Sequence, residues 1–242
     1  MTGQVEPDQQ QRRRELTAGL AAVEARLAAA CAAAGRPREA VGLVAVSKTW
    51  PVPDLLLMTA LGIHDLGENR DQEARPKAAA LAEAGAVVRW HFVGAVQTGK
   101  ARSVASYVDV VHSLDRPALA TALSSGAVRA GRAVEVLVQV SLDGDPARGG
   151  ALPNDVPRLA DLVAGLDGLR LGGVMAVAPL GGDPGSAFGR LAQVAEALRA
   201  AHPDAGAISA GMSADLEAAV AMGATHLRVG TALFGHRPPR LR

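Results

Sequence analysis

The chain has 242 residues and a formal net charge of +1, from 25 Lys and Arg against 24 Asp and Glu, which excludes a protein that grips nucleic acid by its phosphates. At 49% hydrophobic and 20% charged residues it is a globular domain and not a disordered chain. Cys31, the single cysteine, excludes an intrachain disulfide and a cysteine-rich metal site, and three Phe, two Trp and one Tyr offer no aromatic platform for stacked bases.

The polar opening, with Arg12, Arg13 and Arg14, leads into no apolar export segment. In the Ala-rich stretch that follows, Leu16, Leu20, Val23, Leu27 and Cys31 recur at helical spacing, interrupted by Glu24 and Arg26. This pattern predicts an amphipathic helix docked on a core and no membrane span. A cytoplasmic location is the expectation.

Short apolar runs then recur at residues 42–47, 63–66, 87–93, 108–112, 134–140, 169–177, 207–209 and 226–229. Helical patterns lie between them. Pro53, Asp115 with Pro117, and Asp155 with Pro157 mark helix starts, and Ser213 precedes a short helix whose first turn holds Asp215 and Glu217. A leading helix followed by about eight strand–helix units predicts an α/β fold, a single (β/α)8 TIM barrel with an extra N-terminal helix. A doubly wound open sheet is the alternative, but usually has fewer strands. Residues 1–242 read as one domain, with flexible tails at about 1–10 and 236–242.

In such a barrel the site lies where strands end. The first strand ends Val46-Ser47-Lys48, so Lys48 stands at the mouth. Two readings are open: a snorkelling surface lysine, or a Schiff-base lysine whose pKa falls below about 10.4 on partial burial. The seventh strand leads into Ser209-Ala210-Gly211-Met212-Ser213, and the eighth into Gly230-Thr231. Both loops open helices, so N–H groups and helix dipoles converge there on a phosphate; the plainer reading is two capped helix starts. Arg228, inside Leu227-Arg228-Val229, points into the barrel if its neighbours face the helices. It is then a core salt bridge or a donor to a ligand. A Schiff-base lysine, a phosphate site and an arginine facing a ring nitrogen are together what pyridoxal phosphate requires. Asn69, ending the second strand, can touch a ring substituent, and Arg70 can pair with Glu68 or Glu73. His91 reads as a satisfied core histidine or a catalytic one, and Met175 as barrel packing.

Eight stretches in order carry a resemblance: VAVSK at 44–48, GENRDQE at 67–73, WHFVG at 90–94, QTGKAR at 97–102, VHSLDR at 111–116, GVMA at 173–176, GMSADLEA at 211–218 and RVGTALFG at 228–235. In these the chain resembles the YggS/PROSC-type pyridoxal phosphate homeostasis proteins. The resemblance implies a barrel related to that of alanine racemase, without that enzyme's additional β domain. It implies that Lys48 holds pyridoxal 5'-phosphate as an internal aldimine, that Ser209, Ser213, Gly230 and Thr231 serve the phosphate, that Arg228 faces the pyridine nitrogen and that Asn69 lies beside the ring. Gly211 and Met212, in the same loop as Ser213, complete the expected cofactor-binding set; no metal ligand and no catalytic residue is expected. Ala210, Gly99, Ser141 and Arg148 depart from the common pattern.

A guanidinium cannot give up a proton to the ring, which stays unprotonated and a poor electron sink. A two-base racemase also needs an acid opposite the lysine. Tyr107, the single tyrosine, precedes the fourth strand and belongs at the barrel's other end. The resemblance implies instead intracellular pyridoxal phosphate homeostasis: binding, buffering and delivery to apo-enzymes; a monomer is the expectation. The alternatives are a lysine Schiff-base aldolase acting on a sugar phosphate, with Glu68 as its acid, and a weak amino-acid racemase.

Overall fold

Strand and helix alternate along the chain in the computed structural model, which describes residues 5–235. The strands are β1 (Gly42–Val46), β2 (Asp65–Glu68), β3 (Arg89–Phe92), β4 (Val110–Leu114), β5 (Val134–Gln139), β6 (Leu169–Met175), β7 (Ala207–Ser209) and β8 (His226–Val229). Each pairs in parallel with the next, and β1 also pairs with β8, closing the barrel. The helices are α1 (Val5–Ala33), α2 (Val52–Ala60), α3 (Asp71–Glu83), α4 (Ala101–Ala105), α5 (Pro117–Arg129), α6 (Val156–Ala164), α7 (Pro184–Ala201), α8 (Leu216–Ala221) and α9 (Thr231–Phe234). The expected (β/α)8 barrel with a leading helix is the observed fold.

β2, β3 and β4 start later than the apolar runs predict, and β2 and β4 also end later. β2 begins at Asp65 and runs through Gly67 and Glu68, and β4 runs through His112 and Ser113. These polar residues take ladder positions because each has a partner there, Asp65 and His112 among the polar side chains of the lumen, Glu68 with Lys77 of α3, and Ser113 with the Gly94 carbonyl, so counting apolar residues misses them. The lumen holds a small apolar cluster of Val110, Leu137 and Met175. Met175 thus packs the interior. The larger core lies between sheet and helices and includes Leu66, Leu114, Leu123 and Phe188.

At the N-terminus the chain is helical from Val5 onward, where a tail to about residue 10 was expected. Residues 236–242, the other expected tail, lie outside the described residues, as do 1–4. Residues 8–33 have the length and composition to cross a membrane. In the fold, however, Leu16, Val23, Leu27 and Cys31 are buried in the core and Leu20 packs against it, as the helical stripe predicts. α1 lies against α8 and α9. Gly19 makes the second contact possible: a Cβ there would stand 2.5 Å from the Leu233 carbonyl oxygen. Arginines bolt α1 to the loops at the barrel's mouth. Arg12 donates to Asp54 at 2.8 Å and to the Phe234 carbonyl at 3.0 Å, and lies 4.5 Å over the Trp50 ring, which stacks on Phe234. Arg26 donates to the Ser213 carbonyl at 3.0 Å and pairs with Glu217 at 2.9 Å.

Candidate functional site

Lys48 follows β1 by two residues and is half-buried. The chain turns sharply behind it, with Thr49 left-handed at φ 73°, a conformation costing a non-glycine residue about 1 kcal/mol. Buried polar contacts hold that turn. The Thr49 N–H donates to Glu73, and the Lys77 ammonium donates to the Ser47 carbonyl at 2.9 Å, to Glu68 at 2.7 Å and to Glu73 at 2.6 Å. The Ser47 hydroxyl adds a bond to Glu68 at 2.7 Å. Glu68 and Glu73 thus pair with Lys77, where the sequence suggested Arg70. Burial raises the Glu68 pKa, against the opposing pull of Lys77. Glu68 sits beside the strand end and not on the wall of the cleft that Lys48 faces.

That cleft has a volume of about 370 Å³ and is lined by Lys48, Trp50, Asn69, Met212, Ser213, Arg228, Gly230 and Thr231, with apolar Val46, Val93 and Val177 among the rest. Asn69 reaches the wall because β2 and the loop after β3 touch: a Cβ on Gly94 would fall 2.4 Å from the Asn69 carbonyl oxygen. Arg228 is buried on β8. Its Nη1 donates to Ser209 Oγ at 2.5 Å and its Nη2 to the Ala176 carbonyl at 2.8 Å. Among the described residues no carboxylate pairs with it, so the core salt-bridge reading falls. Burial lowers its pKa to about 10, against the opposing pull of Asp215.

The loop after β7 does more than start a helix. Asp215 occupies the N-cap position of α8 and takes the Met212 N–H, so Ser213 does not cap that helix. Its hydroxyl lies 3.4 Å from the Ala232 N–H in the first turn of α9, where helical N–H groups have no intrahelical partner. Gly230 and Thr231 lie at the same place. Seven of the nine residues expected at the site therefore share one cleft. The other two stand behind its wall: Ser209 is buried under Arg228, and the Gly211 carbonyl accepts the Arg228 backbone N–H at 2.9 Å.

Other sequence candidates lie elsewhere. His91 is a satisfied core histidine, bonded to His112 and to Asp65. The Tyr107 hydroxyl donates to Asp71 at 3.2 Å and is not on the cleft wall. Gln97 and Lys100 line a separate, smaller cleft of about 250 Å³ that also touches Asn69. Trp50 was missed, although its place two residues after Lys48 could have shown it. So were Lys77 and His112, which look like an ordinary helix lysine and strand residue until the partners are known.

The donor set fits an anionic aldehyde. The wall presents an amine, a guanidinium, two hydroxyls and a helix start, with no Asp or Glu among the described residues. Such a donor-rich, apolar-lined cleft suits a ligand that brings negative charge.

Comparison with known proteins agrees with this geometry. Residues 19–238 match the family model described as alanine racemase, N-terminal domain. The chain is 44% identical over 248 residues to the pyridoxal phosphate homeostasis protein of Mycobacterium tuberculosis (strain ATCC 25618 / H37Rv), covering 96% of this chain and 95% of that one. The structure of PipY from Synechococcus elongatus PCC7942 with PLP bound is similar at a TM-score of 0.76 and 35% identity, over 86% of this chain and 100% of that one. An alanine racemase of Clostridium difficile 630 shares the fold at a TM-score of 0.70 and 14% identity, over 94% of this chain and 58% of its own.

Proposed function

The chain belongs to the alanine racemase N-terminal domain family and, within it, to the pyridoxal phosphate homeostasis proteins, and from that premise we propose that it binds pyridoxal phosphate in the Lys48 cleft and serves as an intracellular reservoir for it. The observation that carries this reading is one cleft that brings together Lys48, Arg228, Ser213, Gly230 and Thr231. Bound there, the cofactor supplies an aldehyde able to condense with an amine. Lys48 supplies that amine. Ser213, Thr231 and Gly230 receive the phosphate at the start of α9, Arg228 donates toward the ring nitrogen, and Asn69 flanks the ring. Ser209 and Gly211 act one step back, by holding Arg228.

Retention rather than turnover is the role that suits these residues. A two-base racemase needs a second proton carrier opposite the lysine, and an aldolase needs an acid beside it. Tyr107 is bonded to Asp71, and Glu68 is committed to Lys77 and Ser47. Delivery to apo-enzymes is the finer part of the proposal, in the cytoplasm and by a monomer. The packing of the α1 apolar stripe against the barrel supports the soluble form.

Absorption between about 300 and 500 nm, recorded before and after borohydride beside Lys48→Ala, tests the binding. A band that borohydride abolishes in the wild type, and that the variant lacks, is the expected result. No band in wild-type protein given excess cofactor would remove the reading. Delivery is tested by loading the protein and timing activation of an apo-enzyme against free cofactor at equal concentration; a rate no faster than diffusion from solution would leave the reservoir and remove the delivery.

A further inference from the structure

Arg228 is a buried cation with no carboxylate against it among the described residues, and charge so placed needs compensation. A line of hydrogen bonds crosses the lumen beneath it. Arg228 Nη1 meets Ser209 Oγ on β7 at 2.5 Å, and Ser209 Oγ meets His112 Nδ1 on β4 at 2.8 Å. His112 Nε2 meets His91 Nδ1 on β3 at 2.8 Å, and His91 Nε2 meets Asp65 Oδ1 on β2 at 2.7 Å. Ser209, His91 and His112 are buried, while the Asp65 side chain is 40% exposed at the barrel's N-terminal end.

The direction of this line follows from the chemistry of its ends. A guanidinium has donors and no acceptor, so Ser209 Oγ accepts from Arg228. The serine hydrogen is then given to His112 Nδ1. A neutral imidazole that accepts at Nδ1 carries its hydrogen on Nε2, so His112 donates to His91 Nδ1. By the same rule His91 donates from Nε2 to the Asp65 carboxylate. The reverse order needs a protonated Asp65 and leaves the serine hydrogen unused. Two electrostatic shifts agree with the forward order. Burial, helped by the charge of Arg228, drives the His112 pKa well below the ordinary histidine value and keeps the ring neutral. Burial raises the Asp65 pKa, but the hydrogen bond from His91, with the charge of nearby Arg89, outweighs it and holds the carboxylate below its usual range.

We propose that Asp65, His91, His112 and Ser209 form a one-way hydrogen-bond relay that carries the counter-charge for Arg228 from the far end of the barrel, and that they are positioning residues for the ligand ring that Arg228 serves. Each bond in such a chain polarises the next, so the Asp65 anion strengthens the lone pair that Ser209 offers the guanidinium. The role toward the ring rests on the cofactor reading above; the direction of the relay does not.

The experiment has two parts. Nitrogen-15 NMR of the imidazoles in the unloaded full-length protein should show His91 and His112 each as the neutral Nε2–H tautomer. Either ring found as Nδ1–H or as the imidazolium would overturn the relay, whether or not the protein binds cofactor. Absorption of the pyridoxal phosphate-loaded protein then reads the effect on the ring. Asp65→Asn keeps the acceptor and removes the charge, and Ser209→Ala removes the link to Arg228. Both should keep a borohydride-sensitive band but displace its maximum in the direction that Arg228→Ala displaces it, with Ser209→Ala shifted further. Affinity should fall up to about tenfold. Spectra of both variants that superimpose on the wild type, while that of Arg228→Ala shifts, would overturn the positioning role. A wild type without the band would overturn the cofactor reading and the positioning role that rests on it, leaving the tautomer result intact.

Discussion

Two lysines stand at the same end of this barrel in opposite surroundings. Lys77 is buried against two carboxylates and a carbonyl, and its ammonium is spent on holding the turn behind Lys48. Lys48 lines the cleft that Arg228 also lines. The sequence shows only that both are lysines. What separates a structural cation from a ligand-binding one here is place: one is sealed in the packing behind the strand end, the other opens on a cleft.

Breaking the paired side should cost stability. Lys77→Met leaves Glu68 buried without its cation, and loss of one partner from such a pair costs about 3–5 kcal/mol; a denaturant titration would show it, and a loss under 1 kcal/mol would mean that the cluster is loosely held. Acid tests the far end of the lumen. Burial lowers the His226 pKa to about 4, below about 6.5 in an unfolded chain. Between those values the unfolded state binds the proton and the folded one does not. Stability is therefore greatest above about pH 6.5 and falls as pH drops toward 4, by up to about 3 kcal/mol for this group alone. Unfolding free energies at several pH values should show that slope, and His226→Gln should flatten it.

The open side should behave differently. Arg228→Met orphans no carboxylate, so stability should change little, while affinity for pyridoxal phosphate falls about ten- to a hundredfold through loss of a charged donor; isothermal titration beside thermal melting separates the two. The smallest effect is expected at the surface. Arg26→Ala removes an exposed pair with Glu217 and a bond to the Ser213 carbonyl, worth about 0.2–1 kcal/mol in stability, and should raise the pyridoxal phosphate dissociation constant by less than Arg228→Met does.

Much of this was legible in the sequence. The alternation of apolar runs and helical stretches gave the barrel, because parallel strands buried on both faces read as continuous hydrophobic segments. Lys48, Ser213, Arg228, Gly230 and Thr231 could be placed from the rule that function gathers at strand ends. Ser209 could be assigned to the site but not to its layer, since whether a strand's last residue faces the ligand or underlies it depends on strand stagger. Lys77 and His112 were out of reach for a related reason. The Glu73–Lys77 spacing is readable on a helix, but the partners that bury them, Glu68 for Lys77 and Ser209 for His112, lie 9 and 97 residues away, and no local pattern encodes such a pairing.

The leading helix has a consequence for how the molecule is made. α1 leaves the ribosome before the barrel strands do, yet it packs on α8 and α9, the last helices among the described residues. Contacts so distant in sequence form late. During synthesis the stripe of Leu16, Val23, Leu27 and Cys31 waits for α8 and α9 to emerge. The cleft is completed by the same closing event, because Ser213, Gly230 and Thr231 come from that same stretch. A nascent chain thus leaves this stripe without its partners for as long as it lacks its ligand site, and one docking step ends both conditions together.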